Sequence, residues 1–404
     1  MSLDKKRSTL ALIALAVSAF AIGTTEFISV GLLPLIADDL HIPVTTAGLT
    51  VSLYALGATF GAPVLTALTS RMPRKALLLW IMVIFIIGNS IAASAGSIGV
   101  LLTARIISAF SHGVFMSIAS TIAADLVPEN RRASAIAFMF TGLTVATVTG
   151  VPFGTFIGQQ FGWRMAFLVI VIVGVIALIA NYILVPSDLR KGNRATLRDQ
   201  FKLVTNGRLL LVFIITVLGY GGTFVVFTYL SPILQNITGF KEGTVALILL
   251  LYGIAIAIGN MVGGKVSNKN PIQALFYMFI VQAVVLLVLH FTAPFKIAGL
   301  LTIFLMGLLA FMNVPGLQVY VVMLAERYVP TAVDVASALN IAAFNAGIAI
   351  GSFLGGIVTD SIGLIHTTWI GALMVLAAVI LTGWSASLER NDQEDPTTLT
   401  EQVC

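Results

Sequence analysis

The chain has 404 residues, 58% of them hydrophobic and only 10% charged, with a net charge of +5 and a mean hydropathy of +1.03. This excludes an ordinary water-soluble globule, which needs far more charge to cover its surface; the apolar residues fall in long blocks suited to lipid. The single cysteine, Cys404, excludes an internal disulfide or a cysteine-based metal site, and the basic residues sit in short loops, which bears on membrane topology and not on nucleic acid.

A hydrocarbon core of about 30 Å needs roughly 20 helical residues at 1.5 Å each. In chain order, Lys5, Lys6 and Arg7 precede an apolar run from Leu10 to Ile22 that continues past Glu26 to Ile36. It lacks a convincing small-residue cleavage site, so the expectation is a retained helix and not a signal peptide. Twelve spans are predicted, at 9–36, 45–68, 76–95, 99–124, 133–158, 164–185, 209–231, 244–264, 272–292, 297–321, 334–358 and 367–387. Asn313-Val314-Pro315-Gly316 is expected to disrupt the tenth. An even number puts both termini on one side. Of the 22 Lys and Arg, all but Arg105, Arg164, Lys241 and Lys296 fall on the side of the termini, which predicts that both ends are cytoplasmic.

The stretch 186–208 separates an N-terminal half, 1–185, from a C-terminal half, 209–404, that ends in a short tail. Its basic, amphipathic character suits a linker lying on the cytoplasmic face, and a plain solvated loop fits it equally well. The halves read as repeats. Gly150, Gly154 and Gly158 of span five align with Gly347, Gly351 and Gly355 of span eleven at one offset of 197 residues. The same offset sets Glu26 over Thr223. A six-span repeat in one orientation is a transporter architecture, and glycines at i, i+4 and i+8 give a smooth face for close packing.

Charges at lipid depth are costly and mostly functional. Of the 17 acidic residues only Glu26 lies well inside a span; Asp125, Asp334 and Asp360 fall near span ends, where water or gate contacts can satisfy them. Arg105 and His112, about two turns apart, share a face of span four. Counting from span centres, Glu26 lies about 6 Å outward, Arg105 about 10 Å outward and His112 near the centre, so Glu26 is level with the interval between them. A carboxyl group whose protonation follows its access to water is what proton coupling requires. A permanently ion-paired structural glutamate is the competing reading. His112 has a competing reading too, as a hydrogen-bonded packing residue.

An ordered set of motifs resembles the twelve-span drug:proton antiporter branch of the major facilitator superfamily, nearest the bacterial sugar and arabinose efflux transporters. The set comprises Thr24-Thr25-Glu26-Phe27, the stretch from Gly31 to Asp38 with Pro34, Ser52-Leu53-Tyr54, and Ala104-Arg105 with His112-Gly113. It continues with Gly150-Val151-Pro152-Phe153-Gly154, Phe161-Gly162-Trp163-Arg164 and the stretch from Ala338 to Asn345. The resemblance covers nearly the whole chain. It implies an all-α membrane protein with two six-helix repeats around a central cavity lined by spans one and four. The superfamily loop G-x-L-x-D-R-x-G-R-[KR] reads here from Thr66 to Lys75: Leu68, Arg71, Arg74 and Lys75 match, whereas Ser70 stands where the gate-latching aspartate is usual. Asp125, Arg131 and Asp334 complete the candidate gate residues, with Gly150, Pro152 and Gly154 as the antiporter motif.

Proton coupling is thus expected at Glu26, Arg105 and His112. Substrate contacts are expected at Tyr54, Asn89, Thr141 and Thr144 in the first half. In the second half the candidates are Tyr220, Phe224, Phe227, Thr228, Asn313, Gln318, Asn340, Phe344 and Asn345. Neutral polar and aromatic groups suit a sugar, a nucleoside or an amphipathic drug; there is no acid cluster for a dication and no arginine cluster for a phosphate. The chain lacks G-x-x-x-x-G-K-[ST] for ATP, metal-ligand spacing and a Ser/His/Asp grouping, so neither an enzyme nor a cofactor other than the coupling proton is expected. The expectation is a monomeric proton-driven exporter in a bacterial inner membrane, in contact with lipid and a small solute. A symporter or passive facilitator of the same fold stays open, as does a channel or a non-transporting sensor.

Overall fold

The computed structural model describes residues 5–69, 72–128, 132–187, 197–330 and 333–394, and among them there is helix, turn and loop but no strand. The helices are α1 (Lys5–Asp39), α2 (Val44–Thr69), α3 (Arg74–Ala93), α4 (Ile98–Asp125), α5 (Arg132–Val145), α6 (Val151–Phe161), α7 (Trp163–Leu184) and α8 (Leu197–Thr205). They continue with α9 (Gly207–Phe227), α10 (Leu230–Pro232), α11 (Glu242–Ser267), α12 (Pro271–Thr292), α13 (Lys296–Ala310), α14 (Asn313–Tyr328), α15 (Val333–Ser361) and α16 (Thr367–Glu394). Among the described residues twelve stretches are long and apolar enough to cross a membrane, and they coincide with the predicted spans. Span five consists of α5 and α6 joined through a π-helical turn at Ala146–Gly150, and span ten of α13 and α14. On α7 the side chains of Ile172, Ile176, Ile179, Tyr182 and Ile183 are all exposed, an apolar stripe that a bilayer satisfies and water does not.

The chain divides into two compact units, residues 1–194 with 228–253, and residues 195–227 with 254–404. The halves expected on either side of the 186–208 stretch differ from this division in one segment: 228–253, which holds α10 and the start of α11, packs with the first unit.

In the first unit α1 is the central post, packed on α2, α5, α6 and α7. The glycine ladder of span five makes this possible. A Cβ built at Gly150, Gly154 or Gly158 would come within 2.4 Å of a side-chain atom of Thr24, Ile28 or Leu32 respectively. The second unit repeats the device on α9. A Cβ at Gly347 would meet the Val217 carbonyl oxygen at 2.8 Å, and one at Gly351 the Gly221 carbonyl oxygen at 2.1 Å. Thr24 and Gly221 are themselves related by the 197-residue offset. The turns that follow also match: Gly162 and Gly363 adopt φ of 87° and 105°, a region that favours glycine.

Prolines set the breaks. Pro315 has no N–H, and its ring opposes the carbonyl four residues back, that of Phe311. Accordingly α13 stops at Ala310 and α14 begins at Asn313, so the break lies at 311–312, just before the expected 313–316. Pro152 stands in the same relation to Val148, inside the π-helical turn of span five. Both breaks are covered by close-packed glycines. A Cβ at Gly253 would sit 2.9 Å from the Val148 carbonyl oxygen, and at Gly259 and Gly263 it would sit 1.7 and 1.9 Å from those of Leu308 and Met312. Irregular backbone at membrane depth is thereby buried in protein, where it is tolerated.

Gly264 is adjacent to Gly263, yet a Cβ there would meet nothing nearer than Pro315 at 3.9 Å. Gly259→Ala forces two backbones apart and should cost about 1–3 kcal/mol, as overpacking generally does. Gly264→Ala should leave stability unchanged. Thermal unfolding of the two purified variants in detergent decides it; equal midpoints would sink this account of the α11 packing.

Candidate functional site

Glu26 sits near the middle of α1, 7% exposed, where the chain has no other acid. α4 brings Arg105 to it. That guanidinium, 1% exposed, donates from Nη1 to the Thr25 carbonyl at 2.5 Å, from Nη2 to the Glu26 carbonyl at 3.0 Å and from Nε to the Thr50 carbonyl at 3.0 Å. Its carbon lies 4.1 Å from the centre of the Tyr54 ring, a cation–π contact. Arg105 therefore ties α4 to the main chains of α1 and α2. Its bonds reach the main chain of Glu26 and leave the carboxylate out of the tie.

Tyr54 carries the cluster onward. Its hydroxyl lies 3.4 Å from His112 Nδ1, and the ring centres are 5.9 Å apart. Asn89, from α3, accepts from the Thr25 hydroxyl at 3.3 Å, and its amide donates to the Phe85 carbonyl at 2.9 Å. So Glu26, Arg105, His112, Tyr54 and Asn89, expected separately as coupling and substrate residues, belong to one buried polar cluster on four helices. Four further hydroxyls on these helices, of Thr24, Ser29, Ser52 and Ser111, are buried without a hydrogen-bond partner among the described residues. Leaving a buried polar group unmet costs about 1–3 kcal/mol, so these hydroxyls suit water or a solute. Thr141 and Thr144 stand apart: both are exposed on α5, and their hydroxyls donate to carbonyls of their own helix, those of Phe138 at 2.6 Å and Phe140 at 3.3 Å.

The second unit holds an aromatic cluster and a ladder of amides. Tyr220 of α9 is the hub of the first, with ring centres 5.0 Å from Phe224, 4.9 Å from Phe344 and 5.3 Å from Phe311; Phe227 lies 5.3 Å from Phe224. In the ladder, Thr216 donates to Asn340 Oδ1 at 2.8 Å and Asn340 donates to Gln318 Oε1 at 2.9 Å. Gln318 in turn donates to the Ser337 hydroxyl. A second set centres on Gln282 of α12, which donates to the Thr223 hydroxyl and to the Gly219 carbonyl at 3.2 Å and accepts from Asn313 Nδ2 at 3.1 Å. Asn313 Oδ1 and Asn345 Oδ1 are buried and have no hydrogen-bond partner among the described residues. Thr228, expected as a contact, is buried in the first unit.

Gln282, Phe311 and Thr216 were not among the expected residues. Gln282 could have been found by the rule that singled out Glu26, since it is the one amide between Ala274 and Leu289 in α12. An open cavity of about 590 Å³ in the first unit, lined by Asp38, His41, Gln235, Asn236 and Glu242 among others, touches none of the expected site residues.

Among the gate candidates, Arg74 pairs with Asp125, each side chain 16% exposed. Lys75 Nζ lies 5.6 Å from the Tyr182 ring centre. Gly150, Pro152 and Gly154 form the packed bend already described. Arg71, Arg131 and the side chain of Asp334 lie outside the described residues.

Comparison with known proteins agrees with this architecture. Residues 15–332 match the model of the Major Facilitator Superfamily. The chain is 78% identical over 395 residues to the uncharacterized MFS-type transporter YtbD of Bacillus subtilis (strain 168), covering 98% of this chain and all of the relative. It is 36% identical to the inner membrane transport protein YdhP of Escherichia coli (strain K12), covering 93% of this chain and 95% of that one. Among solved structures it is similar in fold to a bacterial homolog of the human lysosomal transporter Spinster in an inward-facing, occupied conformation. That match has a TM-score of 0.73 and 16% identity, over 95% of this chain and 98% of the other. The twelve spans, the repeated glycine ladders and these relatives together make the chain a multi-pass membrane transporter of the Major Facilitator Superfamily.

Proposed function

We propose that this transporter is a proton-coupled antiporter that exports a small neutral or amphipathic solute, such as a sugar, nucleoside or drug, across the bacterial inner membrane by alternating access. Both termini are cytoplasmic in this reading, which rests on the one-sided distribution of Lys and Arg.

The observation that carries the proposal is the arrangement around Glu26. A lone carboxyl group buried in a membrane helix is costly and seldom kept without use. The one guanidinium beside it is bonded to main-chain carbonyls of α1 and α2. The carboxyl group is therefore free to exchange a proton while the helices around it stay tied. Tyr54 and His112 extend the cluster along α2 and α4 and can pass or hold a proton. In the cycle, solute binds from the cytoplasm and leaves on the outside. A proton then enters from outside, protonates Glu26 and resets the carrier. One charge crossing the full field gains about 2.3 kcal/mol per 100 mV, enough to bias such a cycle.

The solute class is argued from the second unit. Its interior offers aromatic faces around Tyr220 and neutral amides, among them the unpartnered Asn313 and Asn345 oxygens, which fit a donor such as a hydroxyl or an N–H. No charged side chain belongs to that set, which suits an uncharged solute.

Two experiments test the reading once a thermal-shift screen of solutes has supplied a ligand. In proteoliposomes, Glu26→Gln should keep solute counterflow near the wild-type rate and lose accumulation driven by a pH gradient. Gradient-driven accumulation at the wild-type level in that variant would refute the coupling assignment. In everted vesicles, acidifying the lumen should drive uptake; loss of pre-loaded solute instead would favour symport, and absence of counterflow altogether would favour a sensor. Separately, Asn313→Ala should raise the half-saturating solute concentration by about three- to tenfold, the worth of roughly one neutral hydrogen bond. The coupling ratio should be unchanged. An unaltered half-saturation would remove Asn313 from the solute site.

A further inference from the structure

The short helix α8 has no part in the site, yet one of its faces is unaccounted for. It ends at Thr205, and the Asn206 side chain caps the next helix by accepting from the main-chain N–H groups of Arg208 and Leu209 at 3.1 and 3.2 Å. That helix, α9, has 21 residues. At 1.5 Å per residue it is about as long as the hydrocarbon core is thick, so Gly207 lies at one boundary and α8, ending less than a turn away, lies at headgroup level.

The packing of α8 is one-sided. Leu203 is fully buried, and α8 rests on α9 and α15. Phe201 is 68% exposed and Val204 38%, and Lys202 and Thr205 are exposed with them. A phenylalanine held out to water beside a membrane boundary gains by entering the interface. The charge balance favours a particular interface: the sequence from 188 to 208 has six Lys or Arg against Asp188 and Asp199. Arg208 donates to the Leu388 carbonyl at 3.2 Å, so Lys202 is the cation that the described part of α8 presents outward.

We propose that α8 is an interfacial anchor that docks on anionic phospholipid, with Phe201 and Val204 entering the boundary of the acyl chains and Lys202 held against headgroup phosphates. Neutral lipid would satisfy the apolar residues alone; the lysine makes the contact selective for negative charge. The inference rests on the membrane fold and is independent of the direction of transport and of what drives it.

The test is amide hydrogen exchange on the full-length protein in nanodiscs of phosphatidylcholine, alone or with about one-third phosphatidylglycerol. Exchange across 197–205 should be about fivefold slower with the anionic lipid, the effect expected of one lysine near a charged surface. Lys202→Gln should abolish that difference, and Phe201→Ser should speed exchange in both lipids. Unchanged amides in α12 show that each variant is folded. Equal exchange in the two lipids would overturn the proposal, as would a lipid effect that survives Lys202→Gln.

Discussion

The contact on which the first unit depends is between Arg105 and three main-chain carbonyls. A buried guanidinium must be surrounded by acceptors, and a carboxylate is the usual partner. Here the acceptors are the carbonyls of Thr25, Glu26 and Thr50, with the Tyr54 ring beneath the cation. Carbonyl groups carry no charge to gain or lose. The tie between α1, α2 and α4 therefore has the same acceptors whatever the protonation state of Glu26. In the proposed cycle the three hydrogen bonds of the tie do not use the Glu26 carboxyl group, although the charge of Arg105 still acts on it.

The glycines and prolines serve the same end by another route. Apolar side chains gain little from leaving lipid for the protein interior, so helices in a membrane are held by close backbone approach and internal polar contacts. Gly150, Gly154 and Gly158 set span five against α1, and Gly347 and Gly351 set span eleven against α9. The bends at Pro152 and Pro315 interrupt regular hydrogen bonding, and in each case a glycine of α11 brings a neighbouring backbone against the interruption. α11 is thus in contact with both irregular stretches, through Gly253 in the first unit and through Gly259 and Gly263 in the second.

Much of this was legible from residue type and spacing. The spans are written in runs of apolar residues that length alone identifies, and the 197-residue offset reappears as two glycine ladders packed alike. The rise per residue was enough to set Glu26 near Arg105, whereas His112 joins them through Tyr54. The rest depended on groups that sequence does not display. Main-chain carbonyls are the same at every position, so nothing in the residues told that Arg105 would bind the backbone of Glu26 and not its side chain. Thr141 and Thr144 look like free hydroxyls in sequence, but each lies within reach of a carbonyl one turn back, which accepts its hydrogen bond. Gln282 was passed over in the middle of an apolar run, although that isolation is itself the signal. The loop between spans two and three lacks its usual aspartate, yet Arg74 has an acid, Asp125, supplied by the end of α4; a pairing between distant segments is invisible to a local motif.

The two units are related by sequence but not by chemistry, and the difference bears on how transport can be coupled. At the offset that maps Glu26 onto the second half stands Thr223, whose hydroxyl accepts from Gln282. An acid in one unit is replaced by a hydroxyl–amide pair in the other. Amides and hydroxyls do not change charge between pH 5 and 8, so in the proposed cycle the second unit keeps one constant set of donors and acceptors for the solute. The first unit holds the groups that can take up a proton, Glu26 and His112, with Arg105 as a fixed positive charge between helices. A carrier that must recognise an uncharged solute and respond to protons is best served when the two tasks do not share a residue, because a solute contact that titrates would vary in strength with the gradient it is meant to use. In the proposed cycle the asymmetry is between two buried sets: one around Glu26 in the first unit that includes ionisable groups, and one around Gln282 and Asn340 in the second that is built of neutral amides and hydroxyls.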